Sequence, residues 1–208
     1  MRLPFFSTEK KLWVGLLGIL AFLIFYMLPN HVQFFTPMYL PMFEFEKNLP
    51  FIDWTIWFYI SDYLFVAVVF ILLKDRTNMN QIFYSQILVL IVSMLIFFLF
   101  PTAFPRPTVE YHGLSGAFVK LLHFADTPGN ACPSIHIAVT FLAGFGFLRE
   151  QKNKFWFFML WAILISFSTL TVKQHYAIDV ICGFFMAAMF YVFGMRFIRE
   201  HGNTNIPK

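Results

Sequence analysis

Charged side chains are scarce in this chain. Asp, Glu, Lys and Arg together make up 12% of its 208 residues, against roughly 25% in a soluble globular domain. That scarcity excludes a water-soluble fold, because the 59% of hydrophobic residues is gathered into long unbroken runs. Cysteine is almost missing as well. Cys132 and Cys182 alone supply neither a disulfide framework nor a zinc ligand set; both are read first as packing thiols, with a bridge between them as the alternative. Low-complexity tracts and internal repeats are lacking, so residues 1–208 are read as one domain. No small-x-small cleavage site follows the first apolar run before Pro29, and acidic Glu9 precedes that run, so it is read as a span and not as a secretory signal.

What fills the chain is lipid-compatible sequence. Six runs, at about 12–29, 54–73, 82–101, 133–149, 155–172 and 176–197, approach the roughly 20 helical residues that cross a hydrocarbon core. The expected fold is an all-α integral membrane bundle of six transmembrane helices. Between the third and fourth spans, "GLSGAFVKLLHFAD" places Leu114, Phe118, Leu121, Leu122 and Ala125 at helical spacing, which predicts a short interfacial helix. Gly183 and Ala187 form a small-xxx-small pair that permits close helix packing.

Basic residues set the expected orientation. With both termini cytoplasmic, Arg2, Lys10, Lys11, Lys74, Arg76, Arg149, Lys152, Lys154, Arg196, Arg199 and Lys208 lie inside, and only Lys47, Arg106, Lys120 and Lys173 lie outside. The net charge of +4 therefore reports topology, and no nucleic-acid partner is expected. The localisation expected is a membrane, the bacterial cytoplasmic (inner) membrane, with the site on the extracytoplasmic face.

Polar groups are costly at membrane depth, so their positions carry information. The orientation brings three clusters to one surface. The first is Arg106-Pro107 in "FPTAFPRP". The second is Pro133-Ser134-Ile135-His136. Pro133 is placed at the first helical position, where its missing N–H costs nothing. That reading leaves the N–H groups of Ser134 and Ile135 pointing out of the helix start as an anion cradle, with the Ser134 hydroxyl as a further donor. The third is "STLTVKQHYAIDV", in which His175 and Asp179 are spaced to share a helical face and Lys173 adds a second cation. A carboxylate can hold one imidazole nitrogen protonated and leave the other free to attack. Two imidazoles, an orienting carboxylate, an anion cradle and two cations are what phosphoryl transfer uses.

Each group has a plain structural reading when taken singly. His31, His112, His123 and His201 are read as interface residues. A His-xxx-Asp pair alone supplies too few ligands for a metal site. Lys173 or Arg106 by itself would be a snorkelling anchor. Lys120 and Asp62 are kept as accessory candidates. Asp62, inside the second span, is read first as a hydrogen-bonding partner of a neighbouring Ser or Tyr.

In order, Arg-Pro, Pro-Ser-x-His and Ser-x6-His-x3-Asp resemble the type-2 phosphatidic acid phosphatase superfamily, over a core of about residues 100–182. The wording "PSIH" with "STLTVKQHYAIDV" is most similar to the branch containing inositol phosphorylceramide synthases. The resemblance implies His175 as nucleophile, Asp179 as its orienting partner, His136 as acid toward the leaving group, and Arg106 and Ser134 as phosphate holders. It also implies catalysis without metal or other cofactor, through a phosphohistidine. Departures are Leu99 where the family has Lys, Thr169 where it has Arg, and Ile135 where Gly is usual. Lys173 is read as replacing the third motif's cation. The expected activity is hydrolysis of a phosphomonoester or pyrophosphate on a lipid, a phospholipid or other lipid phosphate. The alternatives are a phosphotransferase passing the phosphoryl or phospho-head group to a lipid or sugar hydroxyl and, from another class, a lipid or ion transporter or scramblase.

Overall fold

The computed structural model describes residues 1–201 and is dominated by helices. These are α1 (Lys11–His31), α2 (Glu44–Asn48), α3 (Ile56–Leu72), α4 (Arg76–Leu99), α5 (Gly113–Ala125), α6 (Ile135–Phe145), α7 (Lys152–Thr171) and α8 (Ala177–Phe197). Among the described residues, five helical stretches are long and apolar enough to cross a membrane: Thr8–His31, Asp53–Leu72, Arg76–Leu99, Lys152–Thr171 and Ala177–Phe197. They turn large side chains such as Trp13, Leu20, Leu64, Trp156 and Phe185 outward, a surface suited to lipid and not to water. An integral membrane protein fits.

The run expected as a fourth span, 133–149, is shorter in the structure, Ile135–Leu148, and falls outside that set of five. Its position explains its length. α6 runs through the middle of the bundle against α3, α4, α7 and α8, and every residue from Ile135 to Phe145 is buried. A helix walled by protein has no need to match the hydrocarbon thickness. α1 packs outside this core, across α3 and α4.

The run expected at 82–101 begins earlier, at Arg76. Asp75 caps α4 by accepting from the Asn78 backbone N–H at 2.5 Å. The first turns are polar but buried. Asn78 Nδ2 donates to Gly146 O and to Glu150 Oε1, both at 2.7 Å, and Gln81 Nε2 donates to Ile198 O at 3.0 Å. Hydropathy alone starts the helix too late because these amides serve protein partners.

The two ends of the bundle differ. At one end a parallel pairing joins β1 (Arg2–Leu3) to β4 (Arg199–Glu200), Arg76 bridges Glu200 at 2.6 Å, and Glu150 accepts from the Lys74 backbone at 2.7 Å. Arg2, Lys74, Arg76 and Arg199 thus gather together; Lys208 lies outside the described residues. At the other end β2 (Met38–Tyr39) pairs with β3 (Thr102–Ala103) and knits the two long loops into one cover. Loop helix α5 forms where the spacing predicts one. Val119 and Leu122 pack on Ile56 and Tyr59, while Leu114, Leu121 and Phe124 face outward.

Candidate active site

The loop-covered end holds the polar residues. α8 and α6 meet there because Gly183 lets them: a Cβ at this position would lie 2.6 Å from Ser134 O and 3.0 Å from Ile137 Cβ. Backbone contact follows directly, with Ser134 N–H donating to Asp179 O at 3.1 Å. Two expectations change as a result. Pro133 is not the first helical residue, since α6 starts at Ile135 with Ser134 as its N-cap. The Ser134 N–H is consumed by α8, so an open cradle of two free N–H groups does not form. Ile135 is buried and packs in the core.

His175 precedes α8 outside any helix, so it and Asp179 do not share a helical face as the spacing predicts; Asp179 sits in the first turn and reaches back. Its Oδ2 accepts from Tyr176 N–H at 2.9 Å and lies 3.2 Å from His175 Nδ1. Ala131 O is 3.0 Å from the same nitrogen. Both partners are acceptors, so Nδ1 carries the proton and Nε2 keeps its lone pair. Ser134 Oγ stands 3.1 Å from Nε2. Ring, carboxylate and hydroxyl are all buried.

His136 faces His175 with ring centroids 6.1 Å apart. Phe22, Tyr26 and Tyr59 surround it at 5.1, 5.9 and 4.9 Å. Its Nδ1 is buried without a hydrogen-bond partner. An aromatic sleeve of this kind fixes the ring in place.

Arg106 comes to the same end but is already engaged. Its Nη1 donates to His123 O at 3.0 Å and Asp126 O at 2.7 Å. Its Nη2 donates to Gln174 Oε1 at 2.7 Å and pairs with Asp126 Oδ2 at 3.3 Å. Nε is buried and unpartnered. Lys173, with φ of 58° in the left-handed region, closes the turn between α7 and His175, and its Nζ donates to Leu49 O at 2.6 Å. Burial pushes the Lys173 ammonium down from its ordinary value, and Glu46 opposes that shift.

A cavity of 310 Å³ opens beside His175. Glu46, Lys47, Leu49 and Phe51 of the first loop line it, with Phe104, Pro105 and Lys173. This is the size and mixed apolar–polar lining of a small-ligand site.

Other expected residues lie elsewhere. Lys120 is exposed on α5, away from the cavity lining. Asp62 is buried in α3, where the Thr140 hydroxyl donates to Oδ1, so its partner is a threonine of α6 and not a neighbouring Ser or Tyr. His123 is more than an interface residue: Nδ1 is 2.9 Å from the Tyr111 hydroxyl and Nε2 is 3.1 Å from Val172 O, joining α5 to the His175 segment. Burial, then nearby Arg106, lowers its pKa. Cys132 and Cys182 are free thiols, and burial followed by Asp179 pushes the Cys132 thiol up. Among the described residues no group of three or more His, Cys, Asp or Glu is placed to hold a metal ion.

Four contributors escaped the sequence reading: Glu46, Asp126, Gln174 and Tyr26. Glu46 accepts from Phe43 N–H at 2.7 Å and from Ala177 N–H at 2.6 Å, pinning α2 to the start of α8. Their only advance signal was polarity close to apolar spans.

Fold and site together describe a polytopic helical membrane protein with a buried histidine pair under a two-loop cover. The chain belongs to the PAP2 superfamily, whose family model matches residues 34–193. No curated protein matches the chain. Family and apolar helices together fit a membrane lipid phosphatase or phosphotransferase.

Proposed function

We propose that this protein hydrolyses a phosphomonoester or pyrophosphate of a lipid through a phosphohistidine. The observation that carries the reading is the His175 environment: Nδ1 is fixed by two acceptors, Nε2 is open toward Ser134, and a second imidazole stands 6.1 Å away. His175 Nε2 attacks phosphorus and the P–O bond to the leaving group breaks. His136 delivers a proton to the departing oxygen. Water then attacks phosphorus, gives its proton to His136, and the P–N bond breaks to release phosphate. Ser134 and Arg106 hold phosphoryl oxygens, and Lys173 stands in for the cation absent at Thr169. The chain acts as a single six-span domain, α6 being the remaining span and α5 lying in the interface. The covered end faces away from the cytoplasm, as the distribution of Lys and Arg supports.

The cavity favours a second reading. Its apolar wall and two-loop cover would exclude water and seat an acceptor hydroxyl, giving phosphotransfer. The motif wording close to inositol phosphorylceramide synthases supports that branch.

The test uses a short-chain lipid phosphate added to sealed right-side-out vesicles, with chelator present. Phosphate release outside the vesicles, lost in His175→Ala, is expected. Release only after disruption of the vesicles would reverse the orientation. Product formed only when an acceptor alcohol is supplied would establish the transferase.

A further inference from the structure

Arg106 is surrounded mostly by neutral carbonyl oxygens, and among the described residues the one charged group touching it is Asp126. The ion pair is buried: the two side chains keep 13% and 8% of their accessible surface. Asp126 is held from its other oxygen, because the Tyr26 hydroxyl donates to Oδ1 at 2.7 Å. Asn30 of the same helix grips the next residue, its Oδ1 accepting from Thr127 N–H at 3.1 Å. The carboxylate is thus delivered to the arginine by α1, which precedes the segment that the family model matches.

The arrangement has a chemical consequence. Arg106 needs an anionic partner, and Asp126 Oδ2, 3.3 Å from Nη2, already provides one. Asp126 shares the Nη2 of Arg106 with Gln174, the residue that precedes His175. A phosphate that reaches Arg106 therefore meets a cation already paired with a carboxylate, and that carboxylate repels it.

Resting on the phosphoryl-transfer reading, we propose that Asp126 competes with the substrate phosphate for Arg106 and so sets how tightly the site holds phosphate. The positioning of Arg106 does not depend on the carboxylate. The main-chain oxygens of His123 and Asp126 and the Gln174 amide, at 2.7 to 3.0 Å, keep the guanidinium in place whatever side chain stands at 126.

Sign of change separates competition from support. A supporting carboxylate, once removed, weakens phosphate binding; a competing one strengthens it. Orthophosphate binding to the purified full chain in detergent, followed by calorimetry, reads this directly. Asp126→Asn is expected to lower Kd about tenfold, the scale of one unit charge removed near a partly buried anion. Asp126→Glu keeps the charge and is expected to stay within about twofold of the parent. Equal or weaker binding by Asp126→Asn overturns the proposal. If that variant does not fold, Asp126→Ser replaces it, since it also removes the charge while leaving the Tyr26 hydroxyl and the main-chain oxygens around Arg106 in place. Tighter binding is then expected, and unchanged or weaker binding overturns the proposal. A His175 phosphoenzyme with weaker binding in Asp126→Asn sinks this inference alone. Tighter binding without any histidine adduct sinks the phosphohistidine reading alone.

Discussion

His175 owes its character to two acceptors on one nitrogen. Asp179 Oδ2 and Ala131 O both converge on Nδ1, which fixes the tautomer and aims Nε2 at the Ser134 hydroxyl. Asp179→Asn replaces an acceptor by an amide that can present a donor, so the tautomer is no longer enforced. Turnover is expected to fall by about two to four orders of magnitude, as for other His–carboxylate pairs. His136→Ala should cost about 10²- to 10⁴-fold for substrates with a poor leaving group and far less for an aryl phosphate, whose leaving oxygen needs no proton. A ratio of the two rates that His136→Ala leaves unchanged would remove His136 from the acid role. At this scale much was legible in the sequence: both histidines, Asp179 and Ser134 were singled out by polarity at span ends, and the structure brings all four together. Asp126 and Gln174 were not legible. Nothing in "FADTPGN" or "VKQHY" says that they surround Arg106, because that contact spans residues far apart in the chain.

Elements were legible where lipid dictates their composition. α1, α3, α7 and α8 follow the apolar runs closely because their outward faces must be hydrophobic throughout. α4 and α6 depart from the runs for opposite reasons. α4 opens with buried amides that pair with other segments, so hydropathy understates it; α6 is screened from lipid, so hydropathy overstates it. Fine geometry was out of reach at both helix starts that form the site, where caps and not periodicity decide which residue turns which way. Gly183 joins these starts. Gly183→Val would drive a branched side chain into Ser134 O and Ile137, at positions already 2.6 and 3.0 Å from a bare Cβ. The expected result is a cost of about 1–3 kcal/mol from overpacking, read as a lower melting temperature in detergent, with activity lost more completely than stability because Ser134 moves. Parent-like activity in this variant would show that α6 and α8 can separate without disturbing the site.

The whole molecule has two unlike ends joined by an apolar body. Arg76, Glu150 and the paired terminal strands tie one end, and two loops knitted by β2 and β3 roof the other. On the proposed function, a lipid phosphate binds with its chains in the bilayer and its phosphorus at the loop-covered end, beside the cavity that reaches His175. The central claim is covalent. Brief mixing of the purified protein with a phosphate-labelled lipid, followed by alkaline quench, proteolysis and mass spectrometry, should find one acid-labile, base-stable phosphoryl group on His175, absent in His175→Ala. Full turnover by His175→Ala, with no labelled histidine in the parent protein, would contradict it.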